Sequence, residues 1–241
     1  MDDIMKSETI ANQYYDSYEV EAKAAAKPKH YIDLYNKYFD TLTDKELAIL
    51  ELGIFEGHSL EYFSRIFPNA RLFGVDINKC ERVYSSDRVT MYQGSQNDKA
   101  LYQRIMAEND IKTFDIIIDD CSHIGTLTLE SFNILYPFLS LGGLYVIEDW
   151  GTGYWEKWPG GKKFNKGNHL KPKGRSPEYV RSKFFGVRFE SHQHGIPGII
   201  KQLVDEVAMR DIARGLDINA SPKIEYLHVY PGIVFMKKTE S

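Results

Sequence analysis

The sequence predicts an α/β protein with a mostly parallel, doubly wound sheet that ends in an antiparallel hairpin. Three observations carry this expectation. From residue 48 to residue 147, short apolar runs alternate with segments of helical periodicity. Ile116-Ile117-Ile118 is a continuous apolar run, as expected of a strand covered on both faces. Near the C-terminus, two strand-like runs flank Pro231-Gly232, which is a hairpin signal.

The elements follow in order. Residues 1–27 are polar and contain alanine, and read as a helix with a frayed start that Pro28 interrupts. Tyr31, Leu34, Tyr35, Tyr38, Phe39 and Leu42 recur at helical spacing. An amphipathic helix over residues 30–42 is expected to cover the sheet or a neighbouring subunit. The first strand spans residues 48–54, and a helix from Ser59 to Phe67 stops at Pro68. Strands over 71–77 and 89–93 come next, then a helix over 99–108 and a strand over 114–119. A helix over 127–139 leads to Gly142-Gly143, expected to turn the chain into a fifth strand at 144–147.

Residues 151–194 break the rhythm. A segment this long without periodicity is a functional lid or is disordered. Lys162, Lys163, Lys166, Lys171, Lys173 and Arg175 cluster in it without the aromatic interleaving of a nucleic-acid platform. The cluster reads as a solvated loop or as a clamp for an acidic acceptor. A helix over 199–210 and strands over 224–230 and 233–237 complete the chain. The expected division is an N-terminal helical segment, 1–44, and a catalytic domain, 45–241, with a lid insertion at about 151–194.

The chain has 241 residues and a formal net charge of −4, which argues against broad nucleic-acid binding. No apolar run reaches membrane-spanning length. Met1-Asp2-Asp3-Ile4 is acidic and polar, unlike a signal peptide. Cys80 and Cys121 form no zinc pattern and read as reduced thiols in a cytoplasmic protein.

The first strand runs into Glu51-Leu52-Gly53-Ile54-Phe55-Glu56-Gly57, and the second ends in Gly74-Val75-Asp76. An α/β sheet builds a nucleoside site at such strand ends. Asp76 is expected to accept bonds from both hydroxyls of a ribose. The glycines are spaced G-x-x-x-G rather than G-x-G-x-x-G, which favours S-adenosylmethionine (SAM) over a dinucleotide. A dinucleotide needs a helix N-terminus against its pyrophosphate. SAM carries no phosphate, and an acid near the turn suits its ammonium. The competing reading is a tight strand-to-helix turn with no ligand.

Asp119-Asp120 and Glu148-Asp149 end the fourth and fifth strands, which a doubly wound sheet makes neighbours. Four carboxylates on one edge are costly unless a cation neutralises them. A hard divalent metal with oxygen ligands is one solution, and helix caps or solvated acids are the other. His123, three residues after Asp120 and expected at a helix start, is a general base, a metal ligand or a backbone-satisfied polar residue. Its ordinary pKa suits proton transfer near neutrality, which favours the base. Trp150, Tyr154, Trp155 and Trp158 either wall an acceptor pocket or pack a lid.

These motifs, with Gln93-Gly94-Ser95-Gln96, Asp119-Asp120-Cys121-Ser122-His123, Gly142-Gly143-Leu144-Tyr145-Val146-Ile147-Glu148-Asp149 and Tyr230-Pro231-Gly232-Ile233-Val234, resemble the metal-dependent O-methyltransferases of antibiotic biosynthesis. That family includes the macrocin and mycinamicin sugar methyltransferases and their cephalosporin-hydroxylase-like relatives. The resemblance covers residues 45–238 and implies a Rossmann-like class I methyltransferase fold with a seven-stranded sheet. It implies magnesium at Asp120, Glu148 and Asp149, and His123 as base. It implies SAM near Glu51, Gly53, Gly57, Ser59, Asp76, Gln93, Ser95, Gln96, Asp98 and Asp119. The chain departs from the family at Cys121, where glycine is frequent, and in a shorter region ahead of the first strand.

The expected activity is methyl transfer from SAM to a hydroxyl of a small natural product, a sugar or other vicinal diol. The expected protein is a homo-oligomer with no nucleic-acid or membrane partner. The alternatives are a hydroxylase-like relative assisting another reaction, a nicotinamide-dependent oxidoreductase and a non-catalytic SAM-binding subunit.

Overall fold

The computed structural model describes residues 25–84, 86–164 and 192–240. The chain divides into two compact units, Met1–Cys121 and Ser122–Ser241.

The first unit contains α1 (Lys29–Phe39), β1 (Ala48–Leu52), α2 (His58–Ile66), β2 (Arg71–Asp76), β3 (Val89–Gln93), α3 (Lys99–Glu108) and β4 (Phe114–Asp119). Its strands lie in the order β3-β2-β1-β4, all parallel. Every residue of β1 is buried, so both faces of the strand are covered. Register fixes what its C-terminal end presents. Leu52 lies beside Val75 of β2 and Asp119 of β4, so the acidic residues Glu51, Asp76 and Asp119 gather at one edge.

Helix α1 begins after Pro28, whose carbonyl accepts the Tyr31 amide at 2.9 Å. Proline suits this boundary because it has no N–H to leave unsatisfied. The apolar stripe of α1 docks on α2. Tyr35 and Phe39 meet Phe63 with ring centroids 5.3 and 6.2 Å apart, and Phe39 meets Phe67 at 5.1 Å. These rings are fully buried, each worth roughly 1.5–3 kcal/mol relative to exposure. The helix therefore covers its own unit. Residues 1–24, expected to be helical, lie outside the described residues.

The second unit contains α4 (Gly125–Leu135), β5 (Leu139–Ile147), α5 (Gly195–Val207), α6 (Met209–Leu216), β6 (Ile224–Val229) and β7 (Val234–Lys238), with short 3-10 turns at Tyr136–Phe138, Trp150–Tyr154 and Gly161–Lys163. The order is β5-β7-β6, antiparallel throughout, and β6 and β7 form the expected hairpin. The described residues hold seven strands: β1 to β4 pair in parallel, and β7 pairs antiparallel with both β5 and β6.

The three largest differences from the expected boundaries lie in the second unit. Helix α4 ends at Leu135 instead of residue 139, because Pro137 cannot donate to the helix and a 3-10 turn takes over. Strand β5 begins at Leu139, so Gly142 and Gly143 lie inside it instead of before it. The Gly142 amide donates to the Thr239 carbonyl, and Lys238 donates to the Leu139 carbonyl at 2.7 Å, so the end of β7 and the residue after it hold this early part of the strand in place although Gly142 takes φ +72°. The helix expected at 199–210 starts earlier, at Gly195, and a second one follows from Met209. Most of the expected lid, residues 165–191, lies outside the described residues, as do Lys166, Lys171, Lys173 and Arg175.

Candidate functional site

Strand β1 delivers Glu51 into the first unit's interior. The carboxyl is fully buried, and Oε2 accepts the Ser59 hydroxyl at 2.8 Å. Oε1 has no hydrogen-bond partner among the described residues. Burial pushes the Glu51 pKa from its ordinary 4.5 up to about 7, against the opposing pull of Lys27 and of the Ser59 hydrogen bond. Such a group gains from a positively charged ligand.

Gly53 and Gly57 make the turn between β1 and α2. Gly53 has φ +83°, and a Cβ there would lie 2.2 Å from the Asp120 carbonyl oxygen. Only glycine combines that backbone with that approach. Gly57 has φ +75°, and a Cβ there would lie 2.1 Å from the Tyr84 hydroxyl, which donates to the Gly57 carbonyl. Asp76 ends β2. Its Oδ2 accepts the Phe55 amide at 2.9 Å and its Oδ1 the Asn78 amide at 2.8 Å. Both oxygens are thereby fixed in direction, each with acceptor capacity left for a hydroxyl. A cavity of about 610 Å³ lies beside Asp76, lined by Phe55, Glu56, Asn78, Cys80 and Arg82 among others. Arg82 braces its rim by donating to Glu61 and to the Glu56 carbonyl.

The Gln93–Asp98 turn divides in role. Asp98 caps α3, accepting the Ala100 and Leu101 amides at 2.9 and 3.1 Å. Ser95 donates to Asn97 at 2.6 Å, and Gln93 donates to the Ile77 carbonyl at 3.2 Å. Gln96 is buried, with its carbonyl accepting from Tyr102 at 2.7 Å. Asp98 and Ser95 therefore each have a local structural task.

At the end of β4, Asp119 is buried and Asp120 is partly exposed. The sequence reading missed the cation that meets this edge. Lys27, only 3 % exposed, donates to Asp120 Oδ2 at 2.9 Å and stands 3.5 Å from Glu51 Oε1. Its one signal in the sequence is its position next to Pro28, ahead of the aromatic stripe of α1.

In the second unit, His123 is not at a helix start. It precedes α4 by two residues and has φ +53°. Its ring meets Trp158 edge-on with centroids 5.4 Å apart, and its Nε2 stands 3.7 Å from Asp149 Oδ2. Asp149 follows β5 with φ +52°. A non-glycine residue there costs roughly 1–3 kcal/mol, and such strain gathers at functional sites. Glu148, beside it, is buried. The Asp149 carbonyl accepts the Thr152 hydroxyl at 2.8 Å, which pins the turn. Of the four aromatics expected at a pocket wall, Trp158 contacts the histidine. Trp150 donates to the Tyr230 carbonyl at 2.8 Å, Tyr154 packs on Phe164 and His192, and Trp155 is largely exposed. Cys80 and Cys121 are both thiols, as expected. Among the described residues, no helix is long and apolar enough to cross a membrane.

No protein-family model matches the sequence. The chain is 31% identical over 216 residues to mycinamicin VI 2''-O-methyltransferase of Micromonospora griseorubida, covering 85% of this chain and 47% of that protein. It is 38% identical over 133 residues to L-olivosyl-oleandolide 3-O-methyltransferase of Streptomyces antibioticus, covering 52% of this chain and 34% of that protein. Among solved structures it resembles MycE methyltransferase from the mycinamycin biosynthetic pathway in complex with Mg and SAH. The TM-score is 0.70 at 28% identity, over 91% of this chain and 53% of that one. The chain spans about half the length of the curated relatives it matches over most of its own length.

Proposed function

We propose that this chain, a member of the class I SAM-dependent O-methyltransferase family, transfers a methyl group from SAM to a hydroxyl of a small natural product, a sugar or other vicinal diol. The observation that carries this reading is Glu51: a buried carboxylate with one oxygen lacking a hydrogen-bond partner, beside a turn that only glycine can make. That oxygen suits the ammonium of SAM. Asp76 suits the ribose, with its carboxylate aimed by two backbone amides. Gly53, Gly57 and Ser59 shape the cofactor's approach, with Gln93, Ser95, Gln96, Asp98 and Asp119 around it. The relatives are methyltransferases, which favours methyl transfer over a nicotinamide reaction or an assisting role.

On this reading Asp120, Glu148 and Asp149 hold magnesium. The donor set fits, since all three are hard oxygen ligands. Magnesium supplies positive charge that lowers the pKa of an acceptor hydroxyl. His123 takes the proton on Nε2, and Asp149 stabilises the imidazolium that results. The acceptor oxygen bonds to the methyl carbon as the carbon–sulfur bond breaks, leaving S-adenosylhomocysteine. A positioned base of this kind contributes roughly 10²–10⁴-fold. Trp158 orients the imidazole ring.

The methyltransferase domain is residues 45–241, preceded by an N-terminal segment, 1–44. The protein works in the cytoplasm as a homo-oligomer, without nucleic-acid or membrane partners. The test is methyl transfer by purified protein from SAM to sugar and diol acceptors. Chelation should stop turnover and magnesium restore it. Full activity in excess chelator after exhaustive metal removal would rule out the metal's role, and oxidation of acceptor with NAD would rule out methyl transfer.

A further inference from the structure

We infer that Lys27 is a cofactor-binding residue whose ammonium pairs with the α-carboxylate of SAM while Glu51 takes the α-ammonium. The inference rests on the reading of the chain as SAM-binding. The tail of SAM is a zwitterion, with opposite charges on substituents of one carbon. Glu51, Asp119 and Asp120 would attract its ammonium and repel its carboxylate. A lysine at the same edge supplies the missing sign.

The geometry of Lys27 is that of a built station. A buried lysine is costly unless paired, and this one is 3 % exposed. Its bond to Asp120 Oδ2, at 2.9 Å, has the length of a full charge-assisted bond. Its distance to Glu51 Oε1 is 3.5 Å, and that oxygen has no hydrogen-bond partner among the described residues. The ammonium and the buried carboxylate thus form an ion pair at the long end of hydrogen-bond range. Between them they present one positive and one negative group, the complement of an amino-acid zwitterion. The backbone is anchored as well. Lys27 precedes Pro28 and α1, and α1 docks through Tyr35 and Phe39 on α2, the helix that begins at the glycine turn. The cation and the turn are therefore carried by elements packed on each other.

The experiment is calorimetry on the full chain in chelator, so that metal plays no part. The two ligands are S-adenosylhomocysteine, which has the zwitterionic tail, and 5′-methylthioadenosine, which has the same nucleoside and thioether without it. Lys27→Met should weaken S-adenosylhomocysteine about 10- to 100-fold, the worth of one charge-assisted hydrogen bond. Binding of 5′-methylthioadenosine should change less than about threefold, and Lys27→Arg should recover most of the loss. Lys27→Gln keeps a donor for Asp120 and replaces Lys27→Met if thermal melts find that variant unfolded. Unchanged S-adenosylhomocysteine binding, or equal loss for both ligands, would overturn the inference and leave Lys27 a structural neutraliser. A wild-type chain that binds neither ligand would instead remove the SAM reading, and the inference with it.

Discussion

The end of β1 and the loops after β4 and β5 solve different problems with different backbones. Glu51 lies on a strand buried on both faces, and the turn after it takes left-handed angles at Gly53 and Gly57, which bear them without strain, and at Phe55, φ +47°, which does not. His123 and Asp149 take similar angles, +53° and +52°, as residues with side chains, and both are partly exposed. The first region is fixed by the core around it. The second holds its left-handed residues, His123 and Asp149, where their side chains reach solvent, and His123 is the residue proposed as the base. On the proposed function one region binds and the other reacts, and single substitutions can separate the two roles.

The largest effect is expected at His123. His123→Ala should lower kcat by roughly 10²–10⁴-fold and leave SAM binding unchanged, because proton transfer occurs only on the way to the transition state. The residual rate should rise with pH. A pH–rate profile at saturating SAM and metal, with folding checked by a thermal melt, reads this out. A neutral-pH rate equal to wild type would dissolve the distinction between the regions.

Gly53→Ala should do the reverse, damaging the fold first. Left-handed strain and overlap with the Asp120 carbonyl together cost roughly 2–6 kcal/mol. Urea unfolding measures it, and a loss below about 0.5 kcal/mol would mean that the turn relaxes freely.

Glu51 gives a pH signature. Its folded pKa, about 7, lies above its ordinary 4.5. Between those values the folded chain keeps a proton that the unfolded chain releases. The stabilisation is therefore full below about 4.5 and is lost as pH rises through 7. Glu51→Gln carries no such loss. Its stability relative to wild type should rise by up to roughly 3 kcal/mol between pH 5 and pH 8. A pH-independent difference in melts would mean that Glu51 is already ionised at pH 5.

The smallest effect is expected at Asp76. Asp76→Asn keeps an acceptor for one loop amide but removes the charge that strengthens bonds to a ribose. SAM should bind about tenfold more weakly by calorimetry. No change would place the nucleoside elsewhere.

Much of this was legible in the sequence. Strands β3 and β4 and helix α3 fall where the apolar pattern places them. The glycines at 53 and 57 marked the turn because no other residue fits. The rest needed tertiary structure. Lys27 looks like one more charge in a polar segment, and its burial follows from aromatic packing of α1 on α2. The left-handed angle of His123 has no local signal, since the residue is not glycine. Gly142-Gly143 read as punctuation before a strand, and Gly142 does take φ +72°, but a hydrogen bond to Thr239 keeps the pair inside β5.

Calorimetric titration of SAM and NAD into chelator-treated protein tests the central claim most directly. The account expects SAM to bind without metal, through Glu51 and Asp76, and NAD not to bind. Tight NAD binding with no response to SAM would contradict it.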